Sequence, residues 1–62
     1  RMTGTAFRRF RQELPCSLRD LADRWGCSKQ NIQKKEQQEE VTQIYADAMR
    51  TLIRKHRDDA AF

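Results

Sequence analysis

The chain has 62 residues, of which 35% are charged, and a formal net charge of +4. A single domain of this size buries only ~60% of the surface its unfolded chain exposes, which leaves little room for a deep catalytic pocket beside a core. The positive balance favours an anionic partner (nucleic acid, an acidic protein or a membrane surface), and no apolar run approaches the ~18 residues of a membrane span.

Residues 1–5 are short and polar, with Thr3 or Thr5 available to cap a first helix. That helix is predicted from about Thr5 to Glu13, with Phe7, Phe10 and Leu14 at i, i+3, i+7 as its inward stripe. Arg8, Arg9 and Arg11 lie mostly off the stripe. Pro15 cannot continue a helix and biases Leu14 toward extended dihedrals, so Leu14-Pro15-Cys16 is a break.

A second helix starts after Ser17, a good N-cap, with Asp20 three positions on as an approximate capping box. Leu18, Leu21, Ala22 and Trp25 occupy one helical face. Gly26 suits the left-handed residue that ends a helix. Cys27 then sits where a small apolar residue plugs the angle between two helices. Ser28 is the next N-cap, opening a third helix from Lys29 to about Gln37. This helix has one large apolar residue, Ile32. With Ile32 inward and ~100° per residue, Gln30 and Lys34 point outward, Gln33 and Gln37 lie on one flank of that face, and Lys35 and Glu36 come back toward the core.

After Glu36 no Gly or Pro intervenes, so Gln37-Gln38-Glu39-Glu40 is either a turn or a continuation of the helix. The final helix, about 41–57, carries Val41, Ile44, Tyr45, Ala48, Met49, Leu52 and Ile53. It ends in Arg54, Lys55 and Arg57, favourable at a helix C-terminus, and Asp58–Phe62 are expected to fray. The expected fold is therefore all-α: one domain, 1–62, a compact bundle of four or five short helices.

Cys16 and Cys27 form no CxxC, and with one histidine they match no zinc spacing. They are expected to be free thiols acting as small buried hydrophobes. No metal or cofactor is expected. No nucleophile–base pair or phosphate loop is evident, so no enzyme is expected. His56 is expected to be solvated, and Phe7, Phe10, Leu14, Leu21, Trp25, Ile32, Ile44, Tyr45 and Leu52 to form the core.

The stretch LADRWGCSKQNIQKKE resembles the helix-turn-helix of the phage lambda repressor and Cro family, the XRE type. The resemblance rests on Leu21-Ala22, Gly26-Cys27-Ser28, Ile32 and Glu36, within a helix-turn-helix spanning about 17–37. It implies a sequence-specific, double-stranded-DNA-binding transcriptional regulator whose third helix enters the major groove. It implies base reading by Lys29, Gln30, Gln33 and Lys34, since Lys donates to guanine O6 and N7 and Gln pairs with adenine N6 and N7. Arg8, Arg9, Ser17, Arg19 and Gln37 become candidates for phosphate contacts, which position a protein without reading sequence. Arg11 and Glu36 match a structural salt bridge between the first and third helices in such proteins. The sequence departs from the family pattern at Leu18, often polar there, at Lys35, commonly apolar or aromatic there, and in lacking a glycine soon after Glu36.

The resemblance also implies a homodimer reading an inverted repeat with half-sites one helical turn apart, in the cytoplasm of a bacterial or phage-infected cell, associated with the nucleoid. An exposed apolar strip of Met49 and Ile53 on the last helix would serve as the dimer or partner surface. Two alternatives stand beside this. One is a helix-turn-helix-shaped protein-interaction module, an antirepressor or modulator, that docks through Met49 and Ile53. The other follows from an uninterrupted third helix with a basic continuation, which resembles the promoter-reading domain of sigma factors.

Overall fold

Local capping chemistry sets the first three helices. In the computed structural model, which describes residues 1–60, α1 (Gly4–Glu13) begins where the Thr3 hydroxyl accepts from the Ala6 amide at 3.1 Å. It ends at Leu14, which is extended ahead of Pro15 as the proline demands. α2 (Leu18–Trp25) opens with a reciprocal box: Ser17 Oγ accepts from the Asp20 amide at 3.0 Å, and the Ser17 amide donates to Asp20 Oδ2 at 3.3 Å. It closes at Gly26, whose φ of 68° is the left-handed conformation that glycine adopts without a Cβ penalty. The Cys27 amide reaches back to the Ala22 carbonyl at 3.0 Å. α3 (Lys29–Glu36) starts with Ser28 Oγ accepting from the Asn31 amide at 3.1 Å. With α4 (Gln43–Ala60), the architecture is all-α, four helices with no strand among the described residues.

The core takes one fully buried large side chain from each helix: Phe7, Leu21, Ile32 and Met49. Burying a side chain of this size stabilises the fold by about 1.5–3 kcal/mol. Met2, Leu14, Ala22, Val41, Ala46 and Ile53 complete the buried cluster, with Phe10, Leu18, Trp25, Cys27, Tyr45 and Leu52 half-buried against it. α1 packs between α3 and α4, and α2 packs on α3. Trp25 links two elements by aromatic contact, with ring centroids 6.0 Å from Phe7 and 5.8 Å from Tyr45, the latter edge-on.

The fold corrects several sequence expectations. Met49 is 0% exposed and Ile53 4%, so they form no surface strip, whereas Ile44, expected in the core, is 82% exposed. The apolar arc of α4 is too wide for its pattern alone to set the phase. Once α4 packs through Ala46, Met49 and Ile53, at i, i+3, i+7, Ile44 is rotated to the far side. α4 also continues through Asp58 and Asp59, which were expected to fray, as far as Ala60; the same expectation for Ala61 and Phe62 falls outside the described residues.

α3 and α4 do not merge. The segment 37–42 is pulled onto the N-terminus: the Gly4 amide donates to the Gln38 carbonyl at 2.9 Å, and the Val41 amide to the Met2 carbonyl at 2.8 Å. Arg1 Nε lies 3.4 Å from Glu40 Oε1 beside this strap. The first residues are therefore no polar tail, since Met2 and Gly4 are buried. No glycine is needed after Glu36, because Gln37, at φ −95° and ψ −6°, keeps right-handed dihedrals while the backbone groups beyond it pair with residues 2–4.

At the other end, Arg57 is not simply solvated. Its guanidinium holds the Glu13 carboxylate through two hydrogen bonds of 2.8 and 2.9 Å and lies 5.9 Å from the Phe10 ring centroid. This clasp joins the C-terminal ends of α1 and α4. The hydrogen bonds from Arg57 hold the Glu13 carboxyl below the usual carboxylate range, and the same pair raises Arg57. Both cysteines are free; Cys16 is exposed and Cys27 half-buried, so only Cys27 packs as a small hydrophobe. His56 is half-buried and lines a pocket with Leu14, Pro15 and Leu52.

Candidate nucleic-acid interface

α3 presents its polar residues because it has little else to present. Ile32 is its sole fully buried residue. Gln30 and Lys34 opposite it, Gln33 on the flank and Lys29 in the first turn are all exposed, as is Gln37 just past the helix end. A short helix entered by a tight glycine turn and carrying a row of donors and acceptors is physically suited to meet base edges in a groove.

The flank toward α1 is built around Arg11 and Glu36. The two form a bidentate pair, Arg11 Nε to Glu36 Oε2 and Arg11 Nη2 to Glu36 Oε1, the second at 3.3 Å. Their side chains are only 19% and 8% exposed. Charges this enclosed are costly to separate, because removing one partner leaves the other poorly solvated. Arg11 therefore ties α1 to α3 and is not free for an external anion. Arg8, Arg11, Gln33, Glu36 and Gln37 line a cleft of about 360 Å³ between the two helices. Arg8, Gln33 and Gln37 are thus brought together, while Arg9 and Arg19, both exposed, lie outside this cleft.

Ser17 is the candidate whose surroundings least suit a phosphate. Its amide is taken by Asp20 Oδ2, so the N-terminus of α2 is already served by an internal carboxylate. What Ser17 has left is its hydroxyl hydrogen, beside a negative charge.

Ion pairs take up four of the arginines. Among the described residues, the carboxylates of Glu13, Glu36, Glu40 and Asp47 pair with Arg57, Arg11, Arg1 and Arg50. No ion pair forms at Arg8, Arg9, Arg19, Lys29 or Lys34 among those residues. Arg24 on α2 and Arg54 and Lys55 on α4 are likewise exposed and outside these ion pairs, so unneutralised positive charge lies on all four helices.

Compared with known protein families, curated proteins and solved structures, the chain matches none. No group of three or more His, Cys, Asp or Glu side chains among the described residues is placed to hold a metal ion, and none of the helices is long and apolar enough to cross a membrane.

One cluster on this surface escapes the sequence reading. Asn31 gives its backbone amide to Ser28, but its side chain turns to α4, where Nδ2 donates to the Tyr45 hydroxyl at 3.1 Å. Lys35 Nζ lies 4.8 Å from the centroid of the same ring. The half-buried Lys35 thus finds a cation–π partner where an apolar side chain would otherwise be expected. Its signal in the sequence is the i, i+4 spacing of Asn31 and Lys35, which puts them on one flank of α3. Nothing local, however, names Tyr45 as their partner.

Proposed function

We propose that this chain is a sequence-specific double-stranded-DNA-binding transcriptional regulator of the helix-turn-helix type, with α3 as its reading helix. The observation that carries this reading is the exposed row Lys29, Gln30, Gln33 and Lys34 on a capped helix that follows a left-handed glycine turn. Arg8, beside Gln33 and Gln37 in the cleft, and the exposed Arg9 and Arg19 suit phosphates flanking a major groove. Each well-made pairing of Lys with guanine or Gln with adenine is worth about 1–3 kcal/mol of discrimination. One such helix reads few base pairs, so two copies on an inverted repeat, with half-sites one helical turn apart, make the physically sensible binder. Such a pair of copies must use a surface other than Met49 and Ile53, which are buried. The same burial removes the basis for a docking module acting through those two residues. The break after Glu36 removes the uninterrupted helix that suggested a sigma-factor-like domain.

The test is selection of bound sequences from a random duplex pool near physiological salt. An enriched motif is expected. Gln33→Ala should alter the motif, and Arg8→Ala should weaken all sequences about equally and reduce the salt slope by about 1. A pool recovered without enrichment would reject the proposal.

A further inference from the structure

α3 has a single large buried anchor, Ile32. One anchor fixes where a helix sits, but its rotation about its own axis is settled by what grips its flanks. At ~100° per residue, Glu36 lies on one side of Ile32, and Asn31 and Lys35, one turn apart, on the other. The first flank is held from α1 by the Arg11–Glu36 pair. The second is held from α4 by a single side chain, Tyr45, which takes a hydrogen bond from Asn31 at 3.1 Å and lies under Lys35 Nζ at 4.8 Å. Tyr45 is itself braced edge-on by Trp25, with ring centroids 5.8 Å apart. The setting matters because the tips of outward side chains lie ~6 Å from the helix axis, so a rotation of about 20° moves them by about 2 Å. Hydrogen bonds tolerate only a few tenths of an ångström in donor–acceptor distance.

We propose that Tyr45 is a positioning residue for DNA reading: by holding Asn31 and Lys35 on one flank of α3, it sets the rotation at which Gln30, Gln33 and Lys34 meet the bases. This rests on the DNA-binding reading above. It also removes Asn31 and Lys35 from the set of residues that touch DNA, although both lie in the reading helix.

The test compares the wild-type chain, Tyr45→Phe, Asn31→Ala and the double variant. Tyr45→Phe keeps the ring, its packing on Trp25 and the contact with Lys35, and loses only the hydroxyl acceptor. Affinity is measured, well below the melting temperature of every variant, for the motif selected by the wild type and for a scrambled duplex. Losing one net hydrogen bond's worth of positioning should lower the motif-to-scrambled ratio roughly 3- to 10-fold, with affinity for the scrambled duplex unchanged. Asn31→Ala should lower it by the same factor and the double variant by no more, because all three remove one interaction. A loss of stability alone would leave the ratio unmoved at such temperatures. An unchanged ratio in Tyr45→Phe overturns the role of Tyr45 while leaving DNA reading intact. A lowered ratio in Asn31→Ala alone overturns it too, since Asn31 would then touch DNA itself. A wild-type chain that selects no motif overturns the functional reading and this proposal with it.

Discussion

Replacing Gly4 with alanine sets two rules against each other. Gly4 is the first residue of α1, and its φ is not positive, so backbone freedom does not explain the glycine. Alanine in a helix is favoured over glycine by up to about 1 kcal/mol, and propensity alone predicts a more stable variant. The space around Gly4 predicts the opposite. A Cβ there would meet the carbonyl oxygens of Gln38 and Glu36 at well under 3.0 Å, and the Glu36 carbonyl carbon at 2.7 Å. These are backbone atoms, held by the hydrogen bond from the Gly4 amide to Gln38, so no flexible side chain can swing aside. Overpacking of this kind costs about 1–3 kcal/mol, and the rigid neighbours put Gly4→Ala near the upper end. The net expectation is a loss of about 1–2 kcal/mol. For a domain this small that lowers Tm by roughly 5–15 °C. Thermal melts followed by far-ultraviolet circular dichroism measure it, with Thr5→Ala, exposed one position on, as the control expected within about 0.5 kcal/mol of wild type. A Gly4→Ala chain melting at or above the wild-type temperature would mean that the strap between residues 2–4 and 38–41 does not hold the end of α3.

Two further outcomes test the fold. Met49→Lys should abolish cooperative unfolding or cost more than about 3 kcal/mol, because it buries an unpaired charge in the core. Ile44→Lys, at an exposed site, should lie within about 0.5 kcal/mol of wild type; urea denaturation separates the two, and the reverse ranking would mean that α4 packs through another face. The Glu13–Arg57 clasp gives a pH dependence whose sign follows from the lowered Glu13 carboxyl. Its stabilisation is complete above the ordinary carboxylate range and is lost as acid protonates Glu13, because the unfolded chain takes up that proton first. Glu13→Gln should therefore lose less Tm than wild type between about pH 6 and about pH 3, and equal losses would show that the clasp contributes nothing to the acid limb.

What was legible in the sequence was local. Ser17, Asp20 and Gly26 bound α2 through groups a few residues apart, and Ser28 does the same for α3, so their positions in the chain suffice. The outward setting of Gln30 and Lys34, with Gln33 on their flank, followed from one apolar residue and the helical period, whereas Lys29 was singled out only by resemblance. The ion pair of Arg11 with Glu36 was implied only by resemblance, and its geometry is now evident. What was not legible depends on partners distant in the chain. The wide apolar arc of α4 allowed more than one phase, and only packing into the shared core selects Met49 over Ile44. The end of α3 is decided by Met2 and Gly4, and the flank of α3 by Tyr45.

The strap has a consequence for the order in which the molecule assembles. α2 and α3 carry their own caps and can begin to form from neighbouring residues alone. The Gly4–Gln38 and Met2–Val41 bonds join segments connected through α1, α2 and α3, so they carry a loop-closure cost that docking of those helices offsets. During synthesis residues 2–4 leave the ribosome before residues 38–41, so Met2 stays uncovered until those follow. The C-terminal boundary of α3 is in this sense written in Met2 and Gly4, far upstream of it in the chain.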